Sequence, residues 1–249
     1  MSVASRQTRR HRTDPQARVR LVCFPYAGGG ATAFGEWGAC LRREIDVCAV
    51  QLPGRQSRLA EPPIDRLDEL VDAVEEDLAE LDDLPWALFG HSFGALVAYE
   101  LARRRESAGR PVCRLFVAAC SAPQLPPKEP LLHVLDEPEL LEELSRLGNV
   151  EPALLADREL LDLVLPALRA DLTAFETYDH RATTPLGAPI TAFAASDDVR
   201  LTRDDLAAWR AQTTGAFTLH AMAGGHFFLE DLRDELLRTI ERELRPWTT

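Results

Sequence analysis

Long apolar runs are missing from this chain. No stretch approaches the roughly 20 consecutive apolar residues that a membrane span needs, so no membrane partner is expected. The opening MSVASRQTRRHRTDPQARVR has arginines but lacks the apolar segment of a secretory signal. Residues 1–17 are expected to form a disordered basic tail. Lysine is almost absent: Lys128 is the only one, a bias towards arginine that carries little mechanism. Net positive charge is lacking too. The formal net charge is −12, and nucleic acid is not expected as a partner, because phosphate binding needs a basic surface. The five cysteines form no CxxC pair. Those within the runs LVCF, DVCAV and CRLFVAAC read as small buried hydrophobes, a pattern of a reducing compartment, and a cytoplasmic protein is expected. The six histidines include no HxxxH pair, so no metal site is expected.

What is present is a core of useful size. The 249 residues are 46% hydrophobic, which suits one α/β domain, here residues 18–247. Six short apolar runs read as central strands: 18–24, 46–52, 86–90, 113–120, 189–195 and 216–222. Between them lie amphipathic stretches. Leu67, Leu70, Val71, Val74, Leu78 and Leu81 recur at helical spacing, residues 93–107 continue from the third strand, and 227–244 reads as a closing helix. Strand alternating with helix implies a mostly parallel sheet flanked by helices. From about 124 to 186 the alternation stops. This stretch reads as consecutive helices punctuated by Gly148 and Pro152, with Pro166 starting or kinking a later one. It is expected to be a lid over the carboxyl edge of the sheet, where α/β proteins bind ligands.

The sequence GHSFG (90–94) has a strand before it and a helix after it. Gly90 and Gly94 let the chain turn sharply, and Ser92 would sit on a strained elbow with its hydroxyl exposed, as in α/β hydrolases. A serine hydroxyl needs a base. In the order Ser, acid, His, the base is His226, which follows Gly224 and Gly225 after the last strand. His91 is excluded by direction, His220 lies inside a strand, and His133 and His180 lie in or near the insertion. The acid should follow the fifth strand, where both Asp197 and Asp198 stand; the residues alone barely separate them. An oxyanion hole would use the backbone N–H of Phe93 and one from the glycine-bearing FPYAGGGA loop (24–31). That loop is not a phosphate loop, since it has neither GxxxxGK[ST] nor GxGxxG.

CFPYAGGGA, VQLPGRQSRLAEPP, LFGHSFGALVAYELA and GGHFFL together resemble the type II thioesterases of polyketide and nonribosomal peptide synthesis. The resemblance covers residues 19 to 245. It implies an α/β-hydrolase fold with a helical lid, with Ser92 as nucleophile and His226 as base. It also implies Asp198 as acid, with Asp197 the alternative because Ala195 and Val199 depart from the family's turn. The oxyanion donors it implies are the backbones of Ala27 and Phe93. The implied activity is hydrolysis of acyl groups from the phosphopantetheine arm of acyl or peptidyl carrier proteins, removing aberrant short chains. No cofactor is implied, the phosphopantetheine being part of the substrate. A monomer is expected, docking weakly to its carrier through arginines such as Arg103, Arg104 and Arg105, unless these are the solvated end of a helix. The rival readings are a fatty-acid chain-terminating thioesterase, a general carboxylesterase and a non-catalytic binding relative.

Overall fold

Six continuous apolar segments become the six parallel strands of one sheet. The computed structural model describes residues 8–10, 14–148, 157–181 and 184–248. The strands are β1 (Thr8–Arg10), β2 (Val19–Phe24), β3 (Ile45–Val50), β4 (Trp86–His91), β5 (Arg114–Ala118), β6 (Ile190–Ala195) and β7 (Phe217–Met222). Their spatial order is β1-β3-β2-β4-β5-β6-β7. All neighbours from β3 to β7 pair in parallel, as expected for the fold class. β1 is the exception. It lies in the stretch expected to be a disordered tail, yet Thr8, Arg9 and Arg10 pair antiparallel with Val50, Ala49 and Cys48. The reason is the free edge of β3, whose N–H and C=O groups accept any extended segment.

The helices are α1 (Trp37–Cys40), α2 (Leu67–Leu78), α3 (Phe93–Ser107), α4 (Glu137–Leu147), α5 (Arg158–Glu176), α6 (Arg203–Ala207) and α7 (Arg233–Thr248). Alternating side chains of the strands feed two apolar layers. Val22, Phe24 and Val50 pack with Val71 of α2 and Leu96 of α3 on one face. Leu21, Cys23 and Phe89 pack with Trp37 of α1 and Leu236 and Ile240 of α7 on the other. The closing helix begins at Arg233, not at the expected 227. Phe227 and Phe228 instead turn inward against the ring of His91, and packing there outweighs their helical spacing.

In the insertion, α4 and α5 share a small leucine core of their own: Leu140, Leu144, Leu161, Leu165, Leu168 and Leu172, with Leu132 before them. Gly148 ends α4 in the left-handed region, φ 83°. Pro166 lies inside α5, not at its start, and Pro152 lies outside the described residues. No helix among the described residues is long and apolar enough to cross a membrane.

The chain runs from β2 outward to β3, then crosses back to β4 on the other side of β2. Strand order therefore reverses between β2 and β4, and a crevice opens at their carboxyl ends. The register places Phe24 opposite Gly90. The glycine loop after β2 and the turn after β4 face each other across that crevice.

Candidate active site

The turn after β4 is strained. Ser92 has φ 52° and ψ −121°, a conformation that L-residues hold only when their surroundings enforce it. Two features enforce it here. The backbone N–H of Ser92 donates to the carbonyl of Ala118 at the end of β5, 2.8 Å away. The flanking glycines let the chain fold on itself: a Cβ on Gly90 would meet the Gly94 oxygen at 2.2 Å, and one on Gly94 the Phe24 oxygen at 2.3 Å. No side chain at either position fits.

Three predicted side chains meet at this elbow. The Ser92 hydroxyl lies 3.1 Å from Nε2 of His226, and Nδ1 of His226 lies 2.7 Å from Oδ2 of Asp198. The carboxylate at Nδ1 assigns the proton to that nitrogen and leaves the Nε2 lone pair towards Ser92. Burial by itself would raise the Asp198 carboxyl. The hydrogen bond from His226 and those from the backbone N–H groups of Arg200 and Leu201 outweigh burial and hold it below the usual carboxylate range. The Asp198 side chain is 2% exposed. Asp197 is turned away: it is exposed, and only its backbone N–H reaches inward, to the carbonyl of Gly224.

The other histidines serve elsewhere. His91, next to the serine, is buried, and its Nε2 lies 2.9 Å from the backbone oxygen of His226. Burial lowers its pKa to about 3, so the ring is neutral and donates from Nε2. His220 stacks on Phe193. His133 binds Glu176 through Nδ1 at 2.7 Å, and His180 sits beside Tyr178 and Tyr99.

The glycine loop turns at Tyr26–Gly29, closed by the N–H of Gly29 on the Tyr26 carbonyl at 2.9 Å. Gly28 takes the left-handed third position, φ 74°. Ala27 in this turn and Phe93 at the start of α3 both line the cavity in front of Ser92. Among the described residues no hydrogen bond occupies either backbone N–H.

Sequence reasoning missed the groups that hold this loop. Gln51 accepts from the N–H of Ala31 at 3.1 Å. Arg55 reaches the Gly29 carbonyl and forms a buried two-pronged ion pair with Asp171 of α5. Asp171 in turn accepts from the N–H of Gly28 at 2.8 Å. One signal was available. Asp171 interrupts the apolar stripe of α5 between Leu168 and Leu172, and a carboxylate on a buried stripe requires a partner.

The cavity beside Ser92 has a volume of about 80 Å³. Leu144 of α4 and Leu168, Leu172 and Phe175 of α5 face Ser92 and His226 across it. Its surface is mostly carbon. Arg103, Arg104 and Arg105 lie on α3, and each is engaged by a carboxylate: Glu100, Asp72 and Asp82 respectively. Arg105 is buried, with its guanidinium 3.7 Å from the centre of the Trp86 ring.

A parallel sheet whose order reverses beside a serine elbow, with an acid and a histidine delivered by the last two βα loops, defines an α/β hydrolase. Within that class the chain belongs to the thioesterase domain family, whose model matches residues 19–244, and it is a hydrolase of thioesters. It is 41% identical to the gramicidin S biosynthesis protein GrsT of Aneurinibacillus migulanus, over 92% of this chain and 90% of that protein. It is 41% identical to the thioesterase PikA5 of Streptomyces venezuelae, over 95% of this chain and 84% of that one. Among solved structures, the type II thioesterase BorB from the borrelidin biosynthetic cluster superimposes with a TM-score of 0.86 at 40% identity, covering 98% of both chains.

Proposed function

We propose that this chain hydrolyses short acyl groups from the phosphopantetheine thiol of carrier proteins on a polyketide or nonribosomal peptide synthase, clearing aberrant acyl chains. The observation that carries this reading is the hydrogen-bonded series Ser92–His226–Asp198 opening onto a small apolar cavity. Of the relatives named above, GrsT is a gramicidin S biosynthesis protein and BorB a type II thioesterase of the borrelidin biosynthetic cluster.

In this mechanism Ser92 Oγ attacks the thioester carbonyl carbon as its proton passes to Nε2 of His226. Asp198 holds the ring and stabilises the imidazolium. The negative oxygen of the tetrahedral adduct is met by the N–H groups of Ala27 and Phe93. The C–S bond then breaks, and the departing sulfur takes the proton from His226, leaving an acyl ester on Ser92. A water molecule attacks that ester, giving a proton to His226, which returns it to Ser92 Oγ as the free acid leaves. The elbow strain keeps Oγ clear of its own backbone, so little reorganisation is needed at each step.

The size of the cavity favours short acyl groups in this reading. At about 80 Å³ it is roughly half the size of an apolar cavity of about 150 Å³ that admits benzene. In this reading the enzyme works as a cytoplasmic monomer, with most of its large apolar side chains buried within the chain.

Turnover of acetyl-, propionyl-, butyryl- and longer acyl-carrier proteins, with wild type beside Ser92→Ala, tests the proposal. Release of short chains that falls by about 10³-fold or more in Ser92→Ala is the expected result. Preference for long chains would indicate chain termination instead. Activity on simple esters alone would leave the elbow and remove the carrier substrate.

A further inference from the structure

We propose that the Arg55–Asp171 pair is a positioning device that makes the oxyanion loop dependent on a seated lid helix. The inference rests on Ala27 being an oxyanion donor, as in the proposed function. Arg55 belongs to the QLPGR segment after β3, and Asp171 lies 116 residues later on α5. Their side chains are 7% and 1% exposed. Both prongs of the guanidinium meet the carboxylate, and the third contact of Asp171 is the N–H of Gly28.

Gly28 and Ala27 are the two central residues of one turn. Asp171 holds the Ala27–Gly28 peptide by its N–H. The adjoining Tyr26–Ala27 peptide, which carries the N–H of Ala27, is held at its carbonyl by the N–H of Gly29. The two bonds together fix the turn that aims the N–H of Ala27. The hold is doubled by contact. A Cβ on Gly28 would meet Leu168 of α5 at 3.2 Å, so the lid helix rests directly on the turn. Arg55 also binds the next carbonyl, that of Gly29, at 3.3 Å. The loop is therefore gripped from the sheet side by Arg55 and Gln51 and from the lid side by Asp171 and Leu168.

The consequence is conditional chemistry. If α5 lifts, Gly28 loses its acceptor and Arg55 is left charged in a buried place, which is strongly disfavoured. The loop then has no reason to keep the N–H of Ala27 aimed at the adduct. Hydrolysis would proceed when the lid is closed over the acyl group and stall when it is open. Neither residue touches the acyl cavity, so the pair acts on the transition state through the loop and leaves substrate binding alone.

The discriminating protein is the double variant Arg55→Met, Asp171→Leu. Replacing a buried ion pair with apolar side chains of similar volume is often neutral for stability, but it leaves the N–H of Gly28 without an acceptor. The expected result is a melting temperature near wild type, KM for an acyl thioester within twofold, and kcat lowered 20-fold or more. The rate of Ser92 labelling by a fluorophosphonate should fall in parallel, because the phosphoryl oxygen gains negative charge in its transition state and needs the same donors before fluoride leaves. Wild-type kcat in a stably folded double variant overturns the proposal. Asp171→Asn does not serve as a second variant: its amide oxygen, placed where Oδ2 now accepts from both Arg55 and Gly28, can keep both bonds. Should the first fail to fold, the second test is instead Arg55→Leu with Asp171→Ala, a smaller apolar pair that removes both charges and the acceptor of Gly28. Here kcat should fall at least fivefold with KM held, and an unchanged kcat overturns the proposal equally. Failure of the underlying site reading looks different: wild-type enzyme would escape fluorophosphonate labelling and Ser92→Ala would keep its turnover.

Discussion

Nε2 of His91 lies 2.9 Å from the carbonyl oxygen of His226, so the residue beside the elbow serine holds the backbone of the histidine that faces that serine. The ring is enclosed by Tyr26, Phe227 and Phe228. Burial there lowers its pKa from 6.5 to about 3. A histidine kept neutral in the fold binds a proton more readily when unfolded, so unfolding takes up protons across that interval. Stability from this source is complete above pH 6.5 and is lost as pH falls towards about 3, by at most about 1.4 kcal/mol per pH unit. The lowered carboxyl of Asp198 acts in the same direction, below the ordinary carboxylate range. Thermal melts of wild type from neutral pH down to about pH 4 should fall more steeply than those of His91→Gln. Parallel slopes for the two proteins would reject a neutral, buried His91.

Asp198 and Asp197 should behave as opposites. Asp198→Asn keeps the shape beside Nδ1 but no longer fixes the histidine tautomer, and kcat should drop by about 10³- to 10⁴-fold. Asp197→Asn changes an exposed side chain whose backbone bond to Gly224 survives, so kcat should stay within about twofold. Steady-state kinetics on one acyl thioester decides it, and equal losses in both variants would contradict the assignment.

The roof of the cavity should control chain length. Phe175 packs edge-on against Phe93, with ring centres 6.4 Å apart, and lines the cavity. Phe175→Ala opens space for further methylenes, each worth about 1–3 kcal/mol of discrimination. The ratio of kcat/KM for hexanoyl over acetyl thioesters should rise by about tenfold or more. An unchanged ratio would mean that the acyl chain lies elsewhere.

Arg105 should matter for stability and not for carrier affinity. Its guanidinium is sandwiched between Trp86 and Asp82 with little exposure. Arg105→Ala should cost about 1–3 kcal/mol in stability, from the lost cation–π contact, packing and ion pair. KM for an acyl-carrier protein should not change. A raised KM at unchanged melting temperature would return this arginine cluster to the docking surface.

Features set by neighbours in the chain were legible in the sequence. Continuous apolar runs specify buried strands, and the glycines two residues either side of Ser92 specify the elbow, because backbone sterics act over a few residues. His226 followed from chain order and its two preceding glycines. The choice between Asp197 and Asp198 was not local. Adjacent residues point in different directions, and which one faces His226 depends on how the loop after β6 is pinned by Gly224. The start of α7 is non-local for a similar reason: Phe227 and Phe228 fit a helical period, but they pack on His91 and the helix begins at Arg233. The sequence shows that Asp171 on its apolar stripe needs a partner, but not that Arg55 and the N–H of Gly28 are the partners. Their grip joins β3's loop, the lid and β2's loop, and only tertiary packing decides that a charged pair 116 residues apart becomes the support of one backbone turn.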